Sequence, residues 1–131
     1  MQQIHTDIKH ILVIDDEQWV IDLIRFCLRM YGYNVCTFTS PSIALEHFKS
    51  NPKNHSMVIS DISMSQINGY EFVKRIKRIN SKVKVALMTS FEMSQNEFSN
   101  VLPDVTIDAF ITKPFTPNAL RNTIITCEMN Y

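Results

Sequence analysis

Four short apolar stretches of this chain are each followed by one or two polar residues that could do chemistry. Those polar residues are Asp15, Asp16, Asp61, Thr89 and Lys113. Apolar stretches of this length are typical of buried strands in a parallel sheet. Ligands of open α/β sheets bind in the crevice beyond the carboxyl ends of the strands. The sequence therefore predicts one site that contains all five side chains.

The residue types in this set suggest phosphoryl transfer. Crowded carboxylates repel one another unless a proton or a cation neutralises them, and ligands that are all oxygen favour a hard cation such as Mg²⁺. Lys113 adds a positive charge to the same edge, and Thr89 adds a hydroxyl donor. These groups can hold the oxygens of a transferring phosphoryl group, and a neighbouring aspartate can act as the nucleophile.

Each of these residues also has a simpler interpretation when it is taken alone. Adjacent aspartates can favour a helix N-terminus, and an aspartate at a strand end can form an Asx-turn. Lys113-Pro114 alone could belong to a surface loop. Their joint occurrence, at the ends of successive predicted strands, favours a site.

The stretches between these residues predict an alternation of five strands and five helices. Gly32 suits the left-handed end of the first helix, and the pairs Ser40-Pro41 and Thr116-Pro117 suit helix starts. Asn68-Gly69 is a turn signal before the third helix. A fourth helix is predicted over 91–102. An alternation of this kind requires a parallel sheet with helices on both faces.

Length, charge and cysteine content limit the class of protein. Thirteen basic and thirteen acidic residues cancel, and no basic run offers a surface for nucleic acid. No apolar stretch approaches the roughly 20 residues of a membrane span, and the N-terminus has no signal-peptide core. The three cysteines fit no zinc or redox motif. We therefore predict a single cytoplasmic domain over residues 1–131, without an output domain and without nucleic acid or membrane as direct partners.

Four motifs follow one another along the chain at characteristic spacings. They are Ile14-Asp15-Asp16-Glu17, Ser60-Asp61-Ile62-Ser63-Met64 with Asn68-Gly69, Met88-Thr89-Ser90, and Phe110-Ile111-Thr112-Lys113-Pro114-Phe115. Together they resemble the receiver domain of two-component response regulators, over about residues 9 to 128. The resemblance implies a flavodoxin-like, doubly wound, five-stranded parallel sheet of order 2-1-3-4-5 with helices on both faces.

The resemblance also implies a role for each motif residue. Asp61 corresponds to the residue that accepts a phosphoryl group from a histidine of a sensor kinase or phosphotransfer protein. Thr89 and Lys113 correspond to the hydroxyl and the amine that contact that group, and Phe110 corresponds to an aromatic switch residue. The implied Mg²⁺ ligands are Asp15 (through water), Asp16, Asp61 and the backbone carbonyl of Ser63.

Further expectations come from the same resemblance. The Lys113-Pro114 peptide bond should be cis, and a downstream protein should bind the face formed by the fourth helix, the fifth strand and the fifth helix. The chain would catalyse its own phosphotransfer and autodephosphorylation without being a conventional enzyme. It departs from the family at Ser65, where proline is common, so the loop after Asp61 should be less rigid.

Three other classes of protein need to be weighed. A receiver-like module that binds partners without phosphorylation would need none of the four residues Asp16, Asp61, Thr89 and Lys113. A flavodoxin-like electron carrier would need a phosphate-cradling loop after the first strand, where this chain has acidic residues. A haloacid-type phosphatase would need its acceptor aspartate on the first strand and a second aspartate two residues later. The sequence favours the phosphoryl-accepting switch.

Overall fold

The computed structural model describes residues 10–89 and 106–129. The strands are β1 (His10–Ile14), β2 (Asn34–Phe38), β3 (Met57–Asp61), β4 (Lys84–Thr89) and β5 (Ala109–Thr112). The helices are α1 (Gln18–Met30), α2 (Pro41–Ser50), α3 (Gly69–Ile79) and α4 (Pro117–Met129). The helix predicted over 91–102 lies outside the described residues. None of the helices within the described ranges is long and apolar enough to cross a membrane.

All five strands join one parallel sheet in the order β2-β1-β3-β4-β5. The predicted fold class and strand order are therefore confirmed. β1 lies between β2 and β3, so the chain leaves β1 toward one side of the sheet and returns on the other side. This reversal opens a crevice at the carboxyl ends of β1 and β3, where ligands of such sheets bind.

Two apolar layers cover the sheet, one on each face. Ile11 and Val13 point into the layer formed with α1 and α4, whereas Leu12 and Ile14 point into the layer formed with α2 and α3. All four side chains are fully buried. A strand that is covered on both faces needs apolar residues at every position, which explains the continuous apolar stretches of the sequence.

The predicted helix ends are confirmed where the structure describes them. The hydroxyl oxygens of Ser40 and Thr116 each accept a hydrogen bond from the backbone N–H three residues later, at 3.4 and 3.0 Å. Gly32 follows α1 with a φ of +91°, a conformation that side chains disfavour. These local contacts fix where the helices begin and end, and therefore where the loops at the sheet edge lie.

Candidate functional site

The five residues that the sequence grouped together lie at the carboxyl edge of the sheet. Asp15 and Asp16 follow β1, Asp61 is the last residue of β3, Thr89 is the last residue of β4, and Lys113 follows β5. Asp15, Asp61 and Thr89 are buried, Lys113 is half-buried, and Asp16 is exposed. The strands themselves thus bring these side chains to one edge, and the surrounding layers remove most of them from water.

Lys113 is the central contact of this edge. Its Nζ atom donates a hydrogen bond to Oδ2 of Asp15 at 2.8 Å and lies 3.2 Å from Oδ1 of Asp61. Its backbone N–H donates to the carbonyl oxygen of Thr89 at 2.7 Å. The Lys113-Pro114 peptide bond is cis, as predicted. One side chain therefore links the ends of β1, β3 and β5.

Burial and charge compete at Asp61 and Lys113. Burial and then the Asp15 carboxylate raise the pKa of the Asp61 carboxyl above its usual value, and the Lys113 ammonium offsets this rise only in part. Burial alone would lower the pKa of Lys113, but its hydrogen bonds and charge interactions with Asp15 and Asp61 raise it. Lys113 therefore stays charged, and its charge favours the ionised, nucleophilic form of Asp61.

Asp16 makes a different contact from its neighbour. Its Oδ2 atom accepts a hydrogen bond of 2.8 Å from the backbone N–H of Ser65, in the loop between β3 and α3. Asp15 contacts Lys113, whereas Asp16 contacts this loop. Within residues 10–89 and 106–129, no group of three or more His, Cys, Asp or Glu side chains is arranged to hold a metal ion.

The donor atoms at this edge nevertheless suit Mg²⁺ by their chemistry. The implied direct ligands are the carboxylates of Asp16 and Asp61 and the backbone carbonyl of Ser63, an exposed residue two positions before Ser65. All of these donors are oxygens. A small hard cation takes one or two carboxylates and completes its shell with water and phosphate oxygens. The predicted ligand set therefore fits this cation without a cage of three carboxylates.

The start of α3 packs directly against the backbone of Asp61. The side chain of Asn68 caps this helix by accepting the backbone N–H of Glu71 at 2.9 Å, and the backbone N–H of Gly69 donates to the carbonyl of Ile62 at 2.8 Å. A Cβ atom on Gly69 would lie 2.2 Å from the backbone oxygen of Asp61. The sequence predicted only a turn here, and Asn68-Gly69 gave no sign of this close approach.

The loop between β3 and α3 also contacts the start of α2. Oε1 of Gln66 accepts hydrogen bonds from the hydroxyls of Ser40 and Ser42, at 3.4 and 3.3 Å. These two serines stand at the start of α2, so the loop after Asp61 is joined to that helix. Sequence analysis missed this contact because its partners are 24 and 26 residues apart and carry no motif.

Thr89 and Phe110 share one face of the sheet. Phe110 pairs with Leu87 across β4 and β5, and Thr89 lies two residues after Leu87. Side chains two residues apart on a strand point to the same face, so Thr89 is the diagonal neighbour of Phe110. Phe110 is half-buried, and it lines an open cleft of about 490 Å³ between β5 and α4.

A row of large apolar side chains stands exposed along α1, and we call it the α1 row. Its members are Trp19, Leu23, Phe26 and Met30, which are 40 to 67% exposed. Spacings of three and four residues place them on one face of the helix. The row begins three residues after Asp16, so it extends from the carboxyl edge of the sheet. Exposed apolar surface of this kind is typical of protein interaction sites.

Known proteins that are similar to this chain, in sequence and in structure, are response regulators. A family model for the response regulator receiver domain matches residues 11–125. The transcriptional regulatory protein PhoP for alkaline phosphatase synthesis, from Bacillus subtilis, is 28% identical over 114 residues, which cover 86% of this chain and 45% of PhoP. Response regulator SaeR of Staphylococcus aureus is 29% identical over 111 residues, 85% of this chain and 46% of SaeR. The chain thus spans about half the length of these relatives.

Solved structures share the whole architecture. A response regulator receiver domain protein from Clostridium thermocellum superposes with a TM-score of 0.83 at 26% identity, covering 92% of this chain and 94% of the other. Response regulator TrrA from Thermotoga maritima, solved in complex with Mg²⁺ and BeF, gives a TM-score of 0.77 at 29% identity, with coverages of 91% and 98%. Since the family model spans nearly the whole sheet and its helices, this chain belongs to the response regulator receiver domains.

Proposed function

We propose that Asp61 accepts a phosphoryl group from a phosphohistidine of a sensor kinase or phosphotransfer protein. The contact between Lys113 Nζ and the Asp61 carboxylate, 3.2 Å apart at the carboxyl edge, carries this proposal. It places a fixed positive charge beside a buried carboxylate that ends the central strand. A module that only bound partners would have no use for this buried ion pair.

The chemistry assigns one role to each residue of the edge. A carboxylate oxygen of Asp61 attacks phosphorus, an O–P bond forms, and the P–N bond to the donor histidine breaks. The imidazole nitrogen keeps the electron pair and takes up a proton from water. The Lys113 ammonium and the Thr89 hydroxyl donate hydrogen bonds to phosphoryl oxygens as their negative charge grows. Asp15 keeps Lys113 directed at this edge.

Mg²⁺ is part of the proposal. Asp16, Asp61 and the Ser63 carbonyl would hold the ion, and Asp15 would act on it through water. When bound, the ion neutralises charge on the phosphoryl oxygens. Few protein ligands and retained waters imply modest affinity.

The domain meets two partners in this proposal, and both are proteins. The donor docks on the α1 row, since this is the exposed apolar surface that begins beside Asp16. The downstream protein binds the face that includes β5 and α4, together with the helix predicted over 91–102. A single receiver domain over residues 1–131 would then act through phosphorylation-dependent contacts.

Labelling by a small phosphodonor tests the acceptor. The domain is incubated with Mg²⁺ and acetyl phosphate, and the intact mass is measured. We expect a gain of one phosphoryl group that disappears without Mg²⁺ and in Asp61→Ala. Glu46→Gln, which changes an exposed carboxylate on α2, is the matched control and should be labelled like the parent. Equal labelling of Asp61→Ala would contradict the proposal.

A further inference from the structure

We propose that the backbone N–H of Ser65 competes with Mg²⁺ for the carboxylate of Asp16, an inference that rests on the proposed function. The two groups are 49 residues apart in sequence, and the loop between β3 and α3 brings them within 2.8 Å. Ser65 thereby becomes a positioning residue, because it decides where Asp16 points before the ion arrives.

The charges of the three groups explain the competition. A hydrogen bond from an N–H to an ionised carboxylate is stronger than a neutral one, since the donor proton carries partial positive charge. The same partial charge repels a cation that approaches the same oxygen. Mg²⁺ also demands nearly ideal octahedral geometry at short distances, so a ligating carboxylate must turn freely toward it. Asp16 therefore loses freedom and basicity for the ion while Ser65 holds it.

The surroundings of Asp16 agree with this interpretation. Asp16 is exposed, and among the described residues no three acidic, histidine or cysteine side chains are arranged to hold a metal ion. Asp15 is buried and committed to Lys113. The carboxylate that must move for a metal site to form is therefore Asp16, and the bond that must be released is the one from Ser65.

The competition would also connect the ion to the rest of the loop. Ser65 is followed by Gln66, whose side chain accepts the hydroxyls of Ser40 and Ser42 at the start of α2. When Mg²⁺ takes Asp16, the loop would keep its contact with α2, and its direct hydrogen bond to the residue after β1 would be replaced by a link through the ion and the Ser63 carbonyl. Metal binding would thus free the N–H of Ser65 while the loop itself stays attached.

Two substitutions at one position separate the backbone N–H from the side chain. Proline has no N–H, so Ser65→Pro removes the donor, whereas Ser65→Ala removes only the hydroxyl and keeps the donor. Trp19 is the only tryptophan of the chain, and its Nε1 donates to Glu17, the neighbour of Asp16, so its fluorescence can report Mg²⁺ binding. Isothermal titration provides the same constant without a fluorophore.

We expect Ser65→Pro to bind Mg²⁺ roughly three- to ten-fold more tightly than the parent, the range that loss of one hydrogen bond predicts. Ser65→Ala should bind like the parent. Equal or weaker binding in Ser65→Pro than in Ser65→Ala would overturn the inference. If acetyl phosphate still labels Asp61 in that case, the competition is excluded while the proposed function stands.

The unmodified chain provides an independent measurement that no folding defect can disturb. Amide exchange at Ser65, followed by NMR, should become faster when Mg²⁺ is added, because the ion releases the N–H from Asp16. The amide of Gly69, which donates to the Ile62 carbonyl, is the internal control and should keep its protection. Unchanged or increased protection of Ser65 at saturating Mg²⁺ would overturn the inference.

Discussion

Gly69 has an influence on the site that its chemistry does not suggest. Its Cβ position would lie 2.2 Å from the backbone oxygen of Asp61, far inside van der Waals contact. The neighbouring atom belongs to the backbone and cannot rotate away. We expect Gly69→Ala to cost roughly 1–3 kcal/mol of unfolding free energy, as overpacking does. It should also reduce labelling of Asp61 by acetyl phosphate, because the acceptor must shift.

Gly32→Ala is the matched control for that substitution. Gly32 has a φ of +91°, and a Cβ there meets no atom within 4 Å. It should lose stability through backbone strain alone, by about 1–2 kcal/mol, and keep its labelling per folded molecule. Urea unfolding and intact-mass labelling measure the two effects separately. Normal labelling of folded Gly69→Ala would show that Asp61 tolerates the displacement.

Residue types with charge at strand ends were predictable from sequence, whereas backbone contacts were not. Asp61 and Lys113 stand out because a buried strand gains nothing by ending on a charge. The departure from proline at Ser65 was visible in the sequence, but every residue except proline carries an N–H, so its contact with Asp16 was not. Lys113 Nζ lies 2.8 Å from the Asp15 carboxylate and 3.2 Å from that of Asp61. Residue spacing along the chain does not determine which of the two carboxylates is nearer.

His55 provides a pH-dependent contribution to stability at the opposite, amino-terminal edge of the sheet. It is buried, its Nε2 lies 3.0 Å from Nε2 of His47, and its ring stacks on Phe48. Burial, together with smaller contributions from His47 and His10, lowers the pKa of His55 to about 4. Only one of the two facing nitrogens can carry a proton, so a second proton would break the contact.

The direction of the pH effect follows from that lowered pKa. The unfolded chain takes up the proton near pH 6.5, whereas the folded chain takes it up only near pH 4. The contribution of His55 to the free energy of unfolding is therefore fully present above pH 6.5 and is lost progressively as the pH falls from 6.5 toward 4. We expect a loss of about 2 kcal/mol between pH 7 and pH 5 in urea unfolding. His55→Phe keeps an aromatic ring without the titration and should show a flatter profile. Identical profiles would contradict this origin.

At the scale of elements, helix ends were easier to predict than helix faces. Ser40 and Thr116 act on backbone groups three residues away, so their signals are local. α1, in contrast, carries two apolar rows. Val20, Ile24 and Leu28 pack on the sheet, while the α1 row faces outward. Both rows have helical spacing in the sequence, and only the position of the sheet determines which of them is buried.

The α1 row predicts a separation between two kinds of phosphodonor. A protein donor needs a docking surface, whereas acetyl phosphate reaches the carboxyl edge by diffusion. The test uses an autophosphorylated sensor kinase that labels the parent. We expect the double substitution Phe26→Ala and Met30→Ala to slow phosphotransfer from this kinase by at least ten-fold. A ten-fold change corresponds to about 1.4 kcal/mol of binding free energy, which is usual for central apolar contacts. Labelling by acetyl phosphate should not change.

Ile43→Ala tests whether any exposed apolar side chain would have the same effect. Ile43 is 60% exposed on α2 and does not belong to the α1 row. This control should receive the phosphoryl group from the kinase at the parent's rate. An equal rate for the double variant would place the donor on another surface, and slower labelling by acetyl phosphate would indicate damage to the site itself.

At the scale of the whole molecule, alternation of strands and helices predicts a parallel sheet, but it does not order the strands. The order was expected from the resemblance to receiver domains, and the structure confirms it. The strand order determines which strands adjoin the strand that carries Asp61. β3 ends on Asp61 and pairs with β4, β4 ends on Thr89 and pairs with β5, and β5 carries Phe110. A change at the acceptor can therefore pass strand by strand toward the edge of the sheet.

This strand order predicts where phosphorylation should be felt. If Thr89 turns toward a phosphoryl oxygen, as the proposed function requires, it would leave space on the face that it shares with Phe110. The half-buried phenyl ring could then enter that space without a hydrogen bond to satisfy. We therefore expect amide exchange to change more in residues 84–89 and 106–115 than in α1 when Asp61 is phosphorylated. Hydrogen–deuterium exchange with mass spectrometry, on acetyl phosphate-treated parent and Asp61→Ala, measures the difference.

Phe110→Ala, which removes the ring but leaves the acceptor, should be labelled normally and lose the response of residues 106–115. Exchange that changes only around Asp61 in the parent, or persists around Phe110 in that variant, would mean that the signal leaves the site by another path.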